Sequence, residues 1–214
     1  MIVVHELFGV NPELRAVADD LAAAGHLAIA PEFYHRDAAP GTWLARDDAG
    51  RREGFRLLGR LTRRQALDDI AGCAAWLRAQ PGITRVAVIG FSAGGLLAYV
   101  AACSSPDIDL TAVLYGGWLT APADGVPLSQ PTPALDLTPG IRGKLAYFVG
   151  EDDFLIDAAQ RKLIGDALRD AGVRHEMVLY PGTGHAFFWP GTPEYRAESR
   201  DDAWSRILAL LAAG

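Results

Sequence analysis

The residues most able to do chemistry surround a serine, in the pentapeptide Gly90-Phe-Ser-Ala-Gly94 with Ser92 at its centre. A short apolar run precedes it, and small and apolar residues in a helical pattern follow it. A strand, a sharp turn and a helix in this order are typical of a nucleophile elbow, which lifts the serine hydroxyl above the end of a sheet. The flanking glycines have no Cβ, so they allow the close backbone approach that such a turn requires. The pattern predicts a nucleophilic serine, and the alternative is a serine in an ordinary strand-to-helix turn.

A histidine suited to act as the base follows the last predicted strand. His185 ends the hexapeptide Tyr180-Pro-Gly-Thr-Gly-His185. A neutral imidazole there can take the proton of Ser92 and later return it to the leaving group. The elbow motif also predicts the chain order serine, aspartate, histidine, which this position satisfies. The alternative is a surface histidine in a loop.

An aspartate that orients the histidine is expected after the preceding strand, in the segment Val149-Gly-Glu-Asp-Asp153. Asp153 stands three residues after Gly150, which ends that strand. Asp152 is the alternative, and because the side chains of adjacent residues point apart, only one of the two can face His185. The offset from the strand end favours Asp153.

The composition limits the class of protein. The chain has 214 residues, of which 50% are hydrophobic, and a formal net charge of −6. This length suits a single domain, residues 1–214, with a substantial core. A negative charge without a basic face argues against nucleic-acid binding. The arginine-rich run at 51–64 lies beside acidic residues and is expected to form a solvated helix face.

The chain shows no sign of a membrane segment or a cofactor site. No apolar run reaches about 18 residues, and the first residues lack the basic start of a signal peptide. We therefore expect a cytoplasmic protein without a membrane partner. Cys73 and Cys103 lie in apolar helical patterns without metal-ligand spacing, which favours buried, inert thiols. Neither a metal nor an organic cofactor is expected.

Strands and helices alternate along the chain. Strands are predicted at 2–5, 27–30, 85–89, 111–115, 144–149 and 174–180, and helices at 12–21, 63–79, after Ser92, and at about 157–171 and 194–212. This alternation implies right-handed crossovers and an α/β fold, with a mostly parallel sheet covered by helices on both faces. Residues 35–60 and 116–143 are expected to be loops, the first with short helical turns. Catalytic groups belong at the carboxyl ends of such strands, where Ser92, Asp153 and His185 all lie.

Four segments distributed along the chain carry recognisable motifs. They are residues 3–15 (Val-Val-His-Glu-Leu-Phe-Gly-Val-Asn-Pro-Glu-Leu-Arg), 30–34 (Ala-Pro-Glu-Phe-Tyr), 90–95 (Gly-Phe-Ser-Ala-Gly-Gly) and 180–187 (Tyr-Pro-Gly-Thr-Gly-His-Ala-Phe). Together they resemble the dienelactone hydrolase family of α/β-hydrolases, from residue 2 to about 212. The resemblance implies an α/β-hydrolase fold and places Glu6 beside the nucleophile. It also implies an oxyanion hole made of the Leu7 and Ala93 N–H groups. The alternative for Glu6 is a strand-end carboxylate held by a local hydrogen bond.

Three departures from the family pattern affect the expected specificity. The best-known members use a cysteine nucleophile where this chain has Ser92, so the reaction depends more strongly on His185 as base. Those members also hold a substrate carboxylate with two arginines; Arg51 matches one, but the other position is Trp189. Loss of this charged partner predicts a more apolar substrate. Family members usually carry an N-terminal antiparallel hairpin before the first parallel strand, whereas this sequence begins almost at that strand. We expect either a sheet shortened at its N-terminal edge or a sequence that starts late.

The sequence therefore predicts a serine hydrolase that cleaves a small carboxylic ester or lactone through an acyl-enzyme. The candidate substrate-binding residues are Glu6, Arg51, Trp189 and, in the loop 116–143, Trp118. Acyl transfer or lactone formation on the same triad is one alternative. A catalytically silent member of the family that binds a small acyl ligand is another. Monomer and homodimer both remain open.

Overall fold

A parallel sheet forms the centre of the computed structural model, which describes residues 1–212. Its five strands are β1 (Ile2–Val4), β2 (Ala87–Phe91), β3 (Leu110–Leu114), β4 (Lys144–Gly150) and β5 (Arg174–Tyr180). They lie side by side in chain order, and every neighbouring pair is parallel. Every residue of β1, β2 and β3 is buried. Burial on both faces explains why these strands are continuous apolar runs rather than alternating patterns.

Helices cover both faces of this sheet. They are α1 (Pro12–Ala23), α2 (Asp48–Leu58), α3 (Arg63–Arg78), α4 (Ala93–Ser104), α5 (Ala158–Asp170) and α6 (Ala197–Ala212), with 3-10 turns at Phe33–Arg36, Pro127–Ser129 and Ala134–Gly140. On one face α4 packs on β2 and β3 and contacts α3. On the other, α6 packs on β3 and β4, and its Arg200 lies 3.7 Å from Asp20 of α1. The predicted architecture, a mostly parallel sheet between two layers of helices, is confirmed.

The direction of winding reverses at β1, because this strand pairs with Ile29 on one side and with β2 on the other. Right-handed crossovers then place α1 and the later helices α3 and α4 on opposite faces. Ligands of open α/β sheets bind outside the carboxyl ends of the strands at such a point of reversal. The residues that follow β1 and β2 therefore lie where a ligand-binding or active site is expected.

The strand predicted at 27–30 is wrong in extent, because the structure has a single bridge there, at Ile29. The Ile29 N–H donates to the Met1 carbonyl at 2.9 Å, and the Val3 N–H donates to the Ile29 carbonyl at 2.8 Å. Leu27 is 40% exposed, and Pro31 has no N–H to extend the pairing. Within the described chain this short contact is all that lies beyond β1 at this edge of the sheet.

The loop predicted at 35–60 is also wrong in part, because 48–58 form the regular helix α2. The Asp47 side chain caps it by accepting a hydrogen bond of 2.7 Å from the Gly50 N–H. A Cβ at Gly54 would lie 2.6 Å from the Leu7 Cγ and 2.7 Å from the Leu7 carbonyl oxygen. The glycines that resemble loop signals therefore serve close packing, which brings α2 against the segment after β1.

No helix within residues 1–212 combines the length and the apolar character needed to cross a bilayer. The α4 helix is the most apolar of the six, and nearly all of its residues are buried. Its neighbours are β1, β2, β3, α3 and the 3-10 turns Pro127–Ser129 and Ala134–Gly140. A helix that is apolar all round is buried in the core of a globular domain, which accounts for the small and apolar residues that follow Ser92.

Candidate active site

Three side chains predicted from the sequence meet at the carboxyl ends of the strands. Ser92 follows β2, Asp153 follows β4 and His185 follows β5. The Ser92 Oγ lies 2.9 Å from Nε2 of His185, although the two residues are 93 positions apart. The other ring nitrogen, Nδ1, lies 2.9 Å from Oδ2 of Asp153. The structure thus links the three side chains by two hydrogen bonds, with His185 in the middle.

The serine stands on a strained turn between β2 and α4. Its backbone has φ 51° and ψ −116°, a conformation that a non-glycine residue adopts only where the surrounding structure enforces it. A Cβ at Gly90 would lie 2.0 Å from the Gly94 carbonyl oxygen, and one at Gly94 would lie 2.4 Å from that of Val4. Both flanking glycines are therefore required by backbone contacts, as the elbow motif predicts.

The carboxylate of Asp153 is held at both oxygens. Its Oδ1 accepts a hydrogen bond of 2.8 Å from the Leu155 N–H, and its Oδ2 faces Nδ1 of His185. The side chain is fully buried, so this pairing occurs away from water. An N–H on Nδ1 leaves the lone pair of Nε2 directed at Ser92. Asp152, the alternative, is exposed, and among the described residues no hydrogen bond or ion pair joins its side chain to the histidine.

Aromatic side chains surround His185. The rings of Tyr115 and Phe154 meet it edge-on, with centroids at 5.0 and 5.2 Å. Phe154 is 78% exposed, which is unusual for a phenylalanine, and it offers apolar surface next to the histidine. Trp118 is half-buried in the segment after β3. Within residues 1–212 no hydrogen bond or ring contact joins Trp118 to Ser92, His185 or Asp153.

Glu6 lies in a buried polar cluster after β1. Its Oε1 accepts a hydrogen bond of 2.6 Å from Nη1 of Arg46, and its Oε2 accepts one of 3.0 Å from the indole N–H of Trp189. The guanidinium of Arg46 stacks between two rings, 4.7 Å from that of Trp189 and 4.8 Å from that of Phe8. A carboxylate with 5% exposure needs such partners, since burial of an unpaired charge is costly.

The sequence patterns indicate Arg51, and not Arg46, as the arginine of the site. Arg51 lies on the exposed face of α2, and its side chain has no hydrogen bond or ion pair with any described residue. Burial of Glu6 does signal that a cation must be nearby. The choice among the arginines after residue 45 depends on the path of the loop before α2, and no sequence pattern specifies that path.

The resemblance assigns two backbone N–H groups, those of Leu7 and Ala93, to an oxyanion hole. Ala93 is the first residue of α4, so its N–H has no partner within the helix. Gly94 packs against the carbonyl oxygens of Val4 and His5, which brings this helix end onto the segment that contains Leu7. The Leu7 carbonyl accepts a hydrogen bond of 2.9 Å from the hydroxyl of Tyr34. Its N–H has no hydrogen-bond partner among the described residues.

The two cysteines lie outside this arrangement. Both are free thiols, and burial raises the pKa of Cys103 to about 12. Burial also raises the pKa of Cys73. A thiol with a raised pKa is a poor nucleophile, because the thiolate is the reactive form. In the part of the chain that the structure describes, acidic residues, histidines and cysteines do not gather into a group able to hold a metal ion.

Comparison with known proteins gives matches over the whole chain. The model of the dienelactone hydrolase family matches residues 1–213. A Synechocystis sp. protein named "Putative carboxymethylenebutenolidase" is 34% identical over 213 residues, which cover 99% of this chain and 84% of that protein. An Escherichia coli K12 protein of the same name is 32% identical over 209 residues, which cover 97% of this chain and 74% of that protein.

Solved structures show the same relationship. A Klebsiella pneumoniae protein described as a "Putative Dienelactone Hydrolase" has a TM-score of 0.85 and 29% identity, over 99% of this chain and 85% of that chain. A dienelactone hydrolase-like promiscuous phosphotriesterase from metagenomic libraries has a TM-score of 0.75 at 23% identity, over 99% of this chain and 84% of that chain, which shows the fold alone. The α/β-hydrolase fold predicted from the sequence is confirmed. With its sequence matched from end to end, the chain is a hydrolase of the dienelactone hydrolase family.

Proposed function

We propose that this protein is a serine hydrolase that cleaves a small carboxylic ester or lactone through an acyl-enzyme. The observation that carries the proposal is the pair of hydrogen bonds that link Ser92, His185 and Asp153. The Ser92 Oγ lies 2.9 Å from Nε2 of His185, and Nδ1 of His185 lies 2.9 Å from Oδ2 of Asp153. Membership of a hydrolase family supports it. The name of the curated relatives, carboxymethylenebutenolidase, refers to a lactone and is consistent with this substrate class.

The first half of the proposed reaction forms the acyl-enzyme. The Ser92 Oγ attacks the carbonyl carbon while its proton passes to Nε2 of His185, and Asp153 stabilises the resulting imidazolium. The carbonyl oxygen becomes an oxyanion that accepts hydrogen bonds from the Leu7 and Ala93 N–H groups. The bond to the alcohol oxygen then breaks, and that oxygen takes the proton from His185. In a lactone, this alcohol remains attached to the acyl group.

The second half repeats the same steps with water. His185 takes a proton from the water as its oxygen attacks the acyl carbon, and the two N–H groups again hold the oxyanion. Collapse of this intermediate breaks the bond to the Ser92 Oγ, which regains its proton from His185. The products are a carboxylic acid and the free enzyme. These steps require groups of the chain, the substrate and one water molecule.

The surroundings of the triad favour a neutral, apolar substrate. Phe154 exposes most of its ring beside His185. The indole N–H of Trp189 and Nη1 of Arg46 are occupied by Glu6. The Nε and Nη2 atoms of Arg46 have no hydrogen-bond partner among the described residues, but they are buried and so do not face a substrate carboxylate. We therefore assign to Phe154 and Trp118 the contact with the apolar part of the ester. Arg51, exposed on α2, is the candidate contact for the far end of a longer substrate.

Turnover of p-nitrophenyl acetate tests this function. Ser92→Ala is expected to lower kcat at least about a thousandfold, because loss of a triad nucleophile removes the acyl-enzyme route. Ser104→Ala is the matched control, since it makes the same change at the opposite end of α4 and should leave kcat within about twofold. Equal activity of Ser92→Ala and wild type would contradict the proposed nucleophile, and absence of turnover by the wild type would favour the silent binding protein.

A further inference from the structure

A buried imidazole directly precedes the proposed oxyanion-hole segment and has no part in the chemistry described above. His5 is 2% exposed, and its ring packs against those of Phe33 and Tyr34, with centroids at 4.8 and 5.0 Å. Both of its nitrogen atoms are engaged. The Nδ1 lies 2.6 Å from the carbonyl oxygen of Glu6, and the Nε2 lies 3.3 Å from the backbone nitrogen of Phe33.

These two contacts determine the tautomer of His5. The Phe33 N–H can only donate, so Nε2 must carry a lone pair and accept. Burial lowers the pKa of His5 to about 4, which keeps the ring neutral at pH 7. A neutral imidazole with its lone pair on Nε2 carries its hydrogen on Nδ1. His5 therefore donates a hydrogen bond to the Glu6 carbonyl oxygen.

The accepting carbonyl belongs to the peptide group that contains the Leu7 N–H. A trans peptide is planar and directs its C=O and its N–H to opposite sides. A donor on the Glu6 oxygen thus fixes the direction of the Leu7 N–H, which must point away from the His5 ring. If this peptide rotated by half a turn, a carbonyl oxygen would replace the N–H and would repel a developing oxyanion.

The neighbouring groups are held by other residues, so His5 has a separate role. Arg46 and Trp189 hold the Glu6 side chain, and Tyr34 holds the Leu7 carbonyl. Among residues 1–212 the hydrogen bond from His5 is the only one that the Glu6 carbonyl oxygen accepts. Gly94 packs on the His5 carbonyl itself. The first turn of α4, with the other proposed donor, is thereby fixed against the same residue.

We propose that His5 is a positioning residue, which holds the Glu6–Leu7 peptide so that the Leu7 N–H serves as an oxyanion donor to the substrate bound at Ser92. The inference rests on the function proposed above. It predicts that the loss of His5 weakens stabilisation of the tetrahedral intermediate without weakening binding of the substrate in its ground state. A structural role alone would lower the thermal stability and leave these two quantities unchanged in the folded protein.

Two substitutions separate these roles. His5→Leu removes both hydrogen bonds of the ring. His5→Asn also loses the contact with Phe33, but its side-chain N–H lies near the former Nδ1 and can donate to the Glu6 carbonyl. The pair therefore differs in the one hydrogen bond under test. Each folded variant is assayed for kcat and KM with p-nitrophenyl acetate, and for inhibition by an aryl trifluoromethyl ketone, whose adduct with a serine hydroxyl carries an oxyanion.

Removal of one oxyanion donor costs about a hundredfold to a thousandfold in kcat. For His5→Leu, where the donor remains but is no longer held, we expect kcat to fall at least about tenfold, with KM within about threefold of wild type. The affinity for the trifluoromethyl ketone should fall in parallel with kcat. His5→Asn should recover kcat and inhibitor affinity to within about threefold of wild type.

Three results would overturn the inference. They are an unchanged kcat in His5→Leu, equal losses in the two variants, and a loss expressed in KM alone. If His5→Leu does not fold, a loss of inhibitor affinity or of kcat well beyond about threefold in folded His5→Asn would count against the inference as well. Failure of the proposed function would appear separately, as activity retained by Ser92→Ala.

Discussion

The indole N–H of Trp189 donates a hydrogen bond of 3.0 Å to Oε2 of Glu6, across 183 positions of the chain. Trp189 follows β5 four residues after His185, and Glu6 follows β1 directly before Leu7. One buried carboxylate therefore joins the segment of the proposed base to that of the proposed oxyanion hole. Because its other oxygen is held by Arg46 at 2.6 Å, the carboxylate is fixed from two directions.

Arg46→Met tests how much this cluster depends on its buried cation. The substitution keeps an apolar side chain between the two rings but leaves Glu6 with an uncompensated charge. Removal of one partner of a buried ion pair costs about 3–5 kcal/mol, so we expect the free energy of unfolding in urea to fall by about 3 kcal/mol. Arg51→Ala, on the exposed face of α2, is the matched control and should change it by less than about 0.5 kcal/mol. Similar values for the two variants would show that the ion pair is not needed.

Asp153→Asn tests the orientation of the base. An amide in this place can donate to Nδ1 and stabilise the wrong tautomer of His185, which costs about ten thousandfold in a serine protease. We expect kcat for p-nitrophenyl acetate to fall at least about a hundredfold. Asp152→Asn is the control, because Asp152 is exposed and adjacent in the chain. A larger loss for Asp152→Asn than for Asp153→Asn would contradict the assignment.

The preference between neutral and acidic substrates is a third expectation. A hydrogen bond to a charged group contributes about 1.5–3 kcal/mol, or roughly tenfold to a hundredfold in kcat/KM. Since the Trp189 indole and Nη1 of Arg46 are engaged by Glu6 and the other two Arg46 nitrogens are buried, we expect a neutral short-chain aryl ester to have a higher kcat/KM than a matched ester with a carboxylate. Arg51→Ala should cost less than about tenfold with the neutral ester. A carboxylate preference above about a hundredfold that disappears in Arg51→Ala would contradict this expectation.

His5 also predicts a pH dependence of stability. Burial lowers its pKa to about 4, below the value of 6.5 for an exposed histidine. Between these two pH values the unfolded chain binds the proton and the folded protein does not, so a falling pH favours unfolding. The contribution is fully present above about pH 6.5 and is lost as the pH falls to about 4, and it amounts to about 3 kcal/mol.

Urea unfolding at pH 7 and at pH 4.5 measures this contribution. His5→Asn has no group that titrates at this position. The loss of unfolding free energy between the two pH values should therefore be smaller in the variant than in the wild type by about 2 kcal/mol. The carboxylates and the other histidines are common to both proteins, so their contributions cancel in the comparison. Equal losses in the two proteins would show that His5 does not titrate in this range.

Local patterns were sufficient to predict the residues at the strand ends. A serine between glycines that must avoid backbone contacts, a histidine directly after the last strand, and an aspartate at a fixed offset from Gly150 each follow from a few adjacent residues. In a parallel sheet the carboxyl ends of the strands share one edge, so the sequence alone predicts that Ser92, Asp153 and His185 lie close together.

The path of the long segment between β1 and β2 could not be predicted in the same way. Gly50 and Gly54 suggested a loop, but they are the close contacts that let α2 pack on Ala45 and Leu7. The same error favoured Arg51 over Arg46, because the part-buried Arg46 reaches Glu6 only through the bend that precedes α2. The tautomer of His5 likewise depends on Phe33, which is 28 positions away in the chain. Contacts between distant segments decide these features.

Active-site labelling with a fluorophosphonate tests the central claim, that Ser92 is the nucleophile, most directly. The wild-type protein should gain the mass of one phosphonyl group, and peptide mapping should place that group on Ser92. Ser92→Ala should gain none, and Ser104→Ala should be labelled like the wild type. A label on another residue, Cys73 and Cys103 included, or an unlabelled wild-type protein that still hydrolyses p-nitrophenyl acetate would contradict the account.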